Sequence, residues 1–142
     1  MKKQNGFTLI ELVLAISIIA VLIMAVGTAS GVRDAARAQA AAESIRTLRT
    51  AADSYIASGS MTYTGISIDG LKTSGFLPSG FAAAGTNPWG GDYAIAPNSA
   101  SSSKVDISLT SVAAGAATRL NALFANSASQ TGYSGTTWTA TF

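Results

Sequence analysis

One stretch near the start of the chain, residues 7–26, constrains this protein more than any other. It is a run of twenty residues in which only Glu11 is charged. Twenty helical residues span about 30 Å, which matches the hydrocarbon core of a lipid bilayer. The sequence therefore predicts a helix that lies in lipid or in the apolar core of an assembly. Because a carboxylate is costly there, we expect Glu11 to have a positively charged partner.

The residues that lead into this run carry a family resemblance. Lys2-Lys3 and Gly6 precede Phe7-Thr8-Leu9-Ile10-Glu11, and this pattern resembles the leader and processing site of a type IV prepilin. The resemblance implies cleavage after Gly6 by a prepilin peptidase and N-methylation of Phe7. It also implies that Glu11 pairs with the free amine of Phe7 in a neighbouring subunit. That pair would form only in a filament, where it would set the register.

Two other interpretations of the same run remain open. In an ordinary secretory signal a small-residue cleavage site follows the apolar core, and Gly27-Thr28-Ala29 fits that pattern loosely. The run could equally be an uncut membrane anchor. Both leave the acid at position 11 and the Gly6-Phe7 context unexplained.

Charge is balanced once the leader is set aside. The formal net charge is +2, and Lys2 and Lys3 supply all of it. The remaining basic and acidic side chains are equal in number, so the mature chain would be close to neutral. This weighs against a nucleic acid as a ligand attracted by bulk charge.

The composition excludes several kinds of chemistry. The chain has no Cys and no His, which rules out disulfides, thiolate nucleophiles, histidine bases and the common zinc sites. It also lacks EF-hand spacing and the GK[ST] ending of a P-loop. The sequence predicts no enzyme, no cofactor, no metal and no small-molecule substrate. Many pilins close their C-terminal region with a disulfide, so how this one is held together is open.

A long helix is predicted over residues 7–58, because no proline occurs before Pro78. Gly27 and Gly31 are its weak points, since glycine is a poor helix former. In filaments of the resembling family the first half of this helix partly unwinds, and both glycines lie where that would be easy. Small residues also permit close packing of helices, and the sequence does not separate the two roles.

The second half of this helix is amphipathic. One predicted face is apolar, and the opposite one carries Glu43 with Arg46 and Arg49 with Asp53 at ion-pair spacing. The alanine-rich run 35–42 suits close packing. The apolar face comprises Ile45, Leu48, Ala52, Tyr55 and Ile56.

Residues 59–142 predict a small head with a few short elements. We expect an extended piece at 61–64, a helical turn near 68–72, dense turn chemistry at 87–92 and a helix within 112–126. Strands are predicted at 93–95, 105–109 and 137–142, with Trp138 and Phe142 on one face. The stretch Trp89-Gly90-Gly91-Asp92-Tyr93 resembles the loop that enters the sheet in type IVb-like pilins and major pseudopilins. A turn with a buried Trp and Tyr would explain it equally.

The predicted fold is therefore α+β, with a small antiparallel sheet packed on the C-terminal half of the long helix. We expect a leader over 1–6, a helix over 7–58 whose residues 7–26 form the membrane span and filament core, and a head over 59–142. The chain is identified as a member of the type IV pilin family on the resemblance above. This implies a structural subunit that polymerises with itself, first in the bacterial inner membrane and then in an extracellular filament.

The resemblance also implies partners and possible tasks. An assembly platform with a cytoplasmic ATPase would drive polymerisation, and the filament would serve adhesion, motility, aggregation or DNA uptake. A pseudopilin of a type II secretion system is the second interpretation, and no obvious calcium-binding acidic cluster supports it. A signal-anchored periplasmic binding module is the third, and it predicts neither cleavage after Gly6 nor a fibre.

Overall fold

The protein is described by a computed structural model that covers residues 9–142, with the backbone alone for residues 25–30. This part of the chain forms three helices and a sheet of four strands, which confirms the α+β prediction. The helices are α1 (Leu9–Ala57), α2 (Ile68–Thr73) and α3 (Ala114–Phe124), and the strands are β1 (Tyr93–Pro97), β2 (Val105–Leu109), β3 (Gln130–Ser134) and β4 (Thr137–Thr141).

The chain divides into two compact units, Met1–Arg33 and Asp34–Phe142. The described part of the first unit is helical throughout. The predicted membrane span over 7–26 extends beyond the side chains that the structure describes. Across those that it does describe, no helix combines the length and the apolar character needed to cross a bilayer. Membrane anchoring is therefore not confirmed, and the predicted boundaries at 6/7 and 58/59 stay predictions.

In the second unit the sheet is antiparallel, with strand order β1-β2-β4-β3. Val105, Ile107 and Leu109 of β2 are buried, and the residues between them are half-buried. Trp138 and Ala140 of β4 are buried on the same face, and Phe142 packs against this core. Alternation therefore predicted both strands correctly, because one face of the sheet is covered and the other is not.

The covered face of the sheet shares one core with α1. Ile45, Leu48 and Ala52 are fully buried there, as the amphipathic pattern predicts, while Tyr55 and Ile56 are half-buried. Alanines extend the buried stripe of this helix. The buried alanines are Ala38, Ala41, Ala42, Ala51 and Ala52.

The structure departs from the sequence prediction in two places. Residues 61–64 form turns rather than an extended piece, and the Ile66 amide donates to the Tyr63 carbonyl at 3.0 Å. The strand β3 was not predicted, because four of its five residues are exposed and alternation is absent. Its partner is β4, to which a two-residue loop with Gly135 at φ +61° connects it. That geometry suits the type II′ turn of tight hairpins.

Candidate assembly site

The first described turns of α1 expose an unusually apolar surface. Every large apolar side chain from Leu9 to Met24 is exposed, over a range from 52% at Val13 to 84% at Leu9. A shallow depression of about 290 Å³ lies along this surface, lined by Leu14, Ser17, Ile18, Val21 and Leu22. Contiguous apolar patches of this extent mark sites of association with lipid or protein. The first unit thus presents a surface suited to assembly.

Glu11 is the single charged residue of this surface. It lies in the first turn of α1 and is exposed. The other two residues predicted for processing and assembly, Gly6 and Phe7, lie outside the described residues. The pairing of Glu11 with the amine of Phe7 therefore stays a prediction.

The two glycines predicted as flexible points both lie within the helical backbone of α1. Gly27 falls among the residues whose side-chain environment is not described. At Gly31 an added Cβ would meet nothing within 4 Å. Close packing in the subunit does not require a glycine there. Its role in helix unwinding stays a prediction.

Two arginines fasten the head to α1, and the sequence pattern did not indicate this. The guanidinium of Arg49 lies 4.6 Å from the ring centroid of Phe142 and donates to the carbonyl of Ser127 at 3.0 Å. That of Arg46 lies 5.8 Å from the ring centroid of Phe124. The predicted ion pairs also form, with Arg46–Glu43 at 3.6 Å and Arg49–Asp53 at 4.0 Å. The polar side of α1 therefore holds the head by cation–π contacts as well as carrying charge.

The last strand is held in place without a disulfide. Phe142 and Val105 exchange backbone hydrogen bonds of 2.9 and 3.1 Å. The hydroxyl of Thr141 donates to the carboxylate of Asp106 at 2.6 Å. The rings of Trp138 and Phe142 lie 5.6 and 5.9 Å from that of Phe124. Backbone pairing, a charged hydrogen-bond acceptor and aromatic packing thus hold the C-terminal strand in this chain, which has no cysteine.

A buried asparagine organises the loop at 87–92. Asn87 is 4% exposed, and its amide nitrogen donates to the Thr110 carbonyl at 2.7 Å. Its side-chain oxygen accepts from the amides of Trp89 and Gly91 at 3.0 and 2.9 Å. A Cβ at Gly91 would collide with the backbone of Thr110. The sequence marked a turn here, and the structure shows that Asn87 and Gly91 join it to the end of β2.

Two tyrosines of the head have perturbed acidity. Burial raises the pKa of Tyr93, and a hydrogen bond with Ser44 opposes that rise. Burial also raises the pKa of Tyr63, and Asp53 adds to the rise through its charge and a 3.5 Å hydrogen bond, while Arg49 lowers it. Both phenols are therefore held in the neutral form by their surroundings.

Comparison with known protein families bears directly on this arrangement. Residues 1–27 match the prokaryotic N-terminal methylation motif. Residues 31–141, most of the chain, match the family described as PilS N terminal. The chain belongs to the type IV pilin family. This confirms the family that the residues before and within the apolar run indicated. No curated protein and no solved structure matches the chain.

Domains of this family are structural subunits. The described residues contain no group of three or more acidic side chains that could hold a metal ion.

Proposed function

We propose that this pilin is made as a prepilin, cleaved after Gly6, N-methylated at Phe7 and polymerised into a helical surface filament. The observation that carries the proposal is the position of Glu11. It is the single acid among residues 9–24 of α1, where the large apolar side chains are at least half exposed. Exposure of such an apolar surface to water is unfavourable, so lipid or other subunits are expected to cover it.

Burial of apolar area and pairing of Glu11 would play different parts in assembly. Apolar burial is worth roughly 25 cal/mol per Å² but has no direction, so it favours many registers nearly equally. A carboxylate buried without a partner is destabilising by roughly 3–5 kcal/mol. A register that brings Glu11 to the amine of Phe7 in a neighbour would avoid that cost. The acid would thus select one packing among many.

The proposal extends to where the protein acts and with what. The subunit would wait in the bacterial inner membrane, held by residues 7–26, and leave it for an extracellular filament. Its partners would be further copies of itself, the prepilin peptidase, and an inner-membrane platform with a cytoplasmic ATPase. The chain would act as a building unit rather than an enzyme. The filament's task would be adhesion, motility, aggregation or DNA uptake.

The direct test is the mass of the protein recovered from material sheared off the cell surface, with peptide mapping of its amino terminus. The proposal expects a mature chain that begins at N-methyl-Phe7 in that fraction. A chain that begins at Met1 or at Ser30 contradicts it. Electron microscopy of the same cells separates the pilus from the pseudopilus, since long surface fibres belong to the first and short periplasmic assemblies to the second.

A further inference from the structure

The head carries a groove that no described element fills. It is bordered by residues of α1 and α3 and has a volume of about 270 Å³. Small and apolar side chains make most of its wall, since Ala38 is buried, Ala35 and Leu123 are half-buried, and Ala122 is exposed. Gln39 and Arg119 complete the lining. A groove of this kind accepts an apolar side chain from a partner.

The same unit has one prominent apolar projection. Met61 follows the end of α1 and is 95% exposed. In this unit, which is described throughout, Tyr133 is the only other large apolar residue with an exposed side chain, at 37%. Methionine is flexible and polarisable, so it adapts to an irregular apolar groove. The apolar side chain of Met61 therefore suits the mostly apolar wall of the groove.

Charge distinguishes the two ends of the head as well. Arg119 at the groove forms no ion pair or hydrogen bond among the described residues. In the last turns of α1, a carboxylate oxygen of Asp53 lies 3.5 Å from the hydroxyl of Tyr63, and the Asp53 side chain is 61% exposed. Its contact with Arg49, at 4.0 Å, is an exposed surface pair of small energy. Arg119 thus places a cation at the groove, and Asp53 places a mostly exposed carboxylate near the C-terminal end of α1.

The two features lie at different levels of the head. Ala38 in the groove and Ala57 at the end of α1 are nineteen residues apart in one helix, which is about 28 Å along its axis. A contact between two such separated patches is heterologous, because each subunit uses a different surface. Heterologous contacts that do not close into a ring continue into helical fibres.

We propose that Met61 of one subunit inserts into the groove lined by Ala35, Ala38, Ala122 and Leu123 of a second copy, with Asp53 beside Arg119 across the contact. The partner is a second copy because both halves of the contact are present on every chain and are displaced along α1. The contact rests on the proposed filament function and adds a link between heads to the packing of the helices. It names the head surfaces that bind neighbouring subunits.

Disulfide trapping in filaments tests this contact, because the chain has no cysteine of its own. The paired variant carries Met61→Cys and Ala122→Cys, and a bond requires the two Cα atoms to approach within about 7 Å. Sheared filaments are oxidised mildly and separated on a denaturing gel without reductant. The inference expects a ladder of dimers, trimers and longer species, which vanishes on reduction. Either single variant should remain monomeric.

The matched control replaces the groove cysteine by one on the β3–β4 hairpin, as Met61→Cys with Ser134→Cys, and should give no ladder. Filaments that form without a ladder in the first pair overturn the inference but leave the proposed function intact. Dimers from Met61→Cys alone also overturn it, because they would show a symmetric contact. Absence of filaments from wild-type cells contradicts the proposed function itself.

A charge exchange gives a second measurement that needs no cysteine. Arg119→Glu alone should lower the yield of sheared filaments by bringing two carboxylates together. Adding Asp53→Arg in the same chain should restore that yield, since the attraction is then reversed rather than lost. A double variant no better than Arg119→Glu contradicts the contact between these two residues.

Discussion

The guanidinium carbon of Arg49 lies 4.6 Å from the ring centroid of Phe142, so a residue of the long helix covers the end of the last strand. The two residues are far apart in sequence and come together only because the sheet packs on α1. Arg49 also donates to the carbonyl of Ser127. One side chain thus links α1 to the residue that follows β4 and to the segment that precedes β3.

Replacing Arg49 should therefore destabilise the head. We expect Arg49→Ala to lower the free energy of unfolding by about 1–2 kcal/mol, because it removes a cation–π contact, a hydrogen bond and the packing of the side-chain stem. Thermal unfolding followed by circular dichroism measures this. Arg37→Ala is the matched control, since Arg37 contributes only an exposed pair with Asp34 at 4.0 Å. Equal effects from both variants would show that the contacts of Arg49 with Phe142 and Ser127 do not stabilise the head.

The buried amide of Asn87 should matter more than an exposed one. Asn87→Ala leaves the amides of Trp89 and Gly91 and the carbonyl of Thr110 without their partner. We expect a loss of about 1–3 kcal/mol in the free energy of unfolding, the cost of an unsatisfied buried polar group. Asn126→Ala, at an exposed position, should change stability little. Chemical denaturation measures both variants.

Glycine is required at position 91 because the backbone of Thr110 leaves no room for a side chain, and not because of an unusual backbone conformation. A Cβ there would collide with the backbone of Thr110 at the end of β2, so Gly91→Ala must push the loop away from the strand. The expected loss is about 1–3 kcal/mol, as for overpacking in a core. Gly80→Ala is the control, because a Cβ at Gly80 meets nothing within 4 Å. Stability equal to wild type in Gly91→Ala would show that the loop moves freely.

Alkaline pH should destabilise the head through Tyr93. Burial raises the pKa of Tyr93, so the folded state holds the phenolic proton more tightly than the unfolded state. The resulting stability is fully present below the ordinary tyrosine pKa of about 10 and is lost as pH rises through the raised value. Tyr93→Phe should therefore lose less stability than wild type above that pH. Denaturation at several alkaline pH values tests this, with Tyr133→Phe as the control that keeps Tyr93.

Filament assembly should depend on the charge of Glu11 rather than on its bulk. Glu11→Gln keeps the size of the side chain and removes the charge that would pair with the amine of Phe7. We expect the yield of sheared filaments to fall about tenfold or more, since a lost charge pair in an apolar interface exceeds 1.4 kcal/mol. Glu43→Gln, which removes an exposed acid from the same helix, should assemble normally. A wild-type yield of sheared filaments from Glu11→Gln would contradict the proposal that Glu11 sets the register.

Much of the fold followed from local patterns. Ile45 and Leu48 were placed on the buried face of α1 by helical spacing alone, and Ile107 and Trp138 on the covered face of the sheet by alternation. These predictions succeeded because a periodic apolar face must be buried against something, whatever that is. The strand β3 was not predicted, because its mostly exposed Gln-Thr-Gly-Tyr-Ser sequence shows no alternation of apolar and polar residues. It forms a strand because its backbone pairs with β4 at the edge of the sheet.

The family was determined by sequence alone, since Gly6, Phe7 and Glu11 form a linear pattern that needs no fold to be recognised. The apolar run and the exclusion of thiol and imidazole chemistry are likewise properties of the chain. Tertiary structure decided what holds the head together and which surfaces are left open. Arg49 meets Phe142, Asn87 meets Thr110, and α1 and α3 leave a groove while Met61 projects. Such contacts join residues distant in sequence, and their energy depends on distance and burial, which only the packed structure defines.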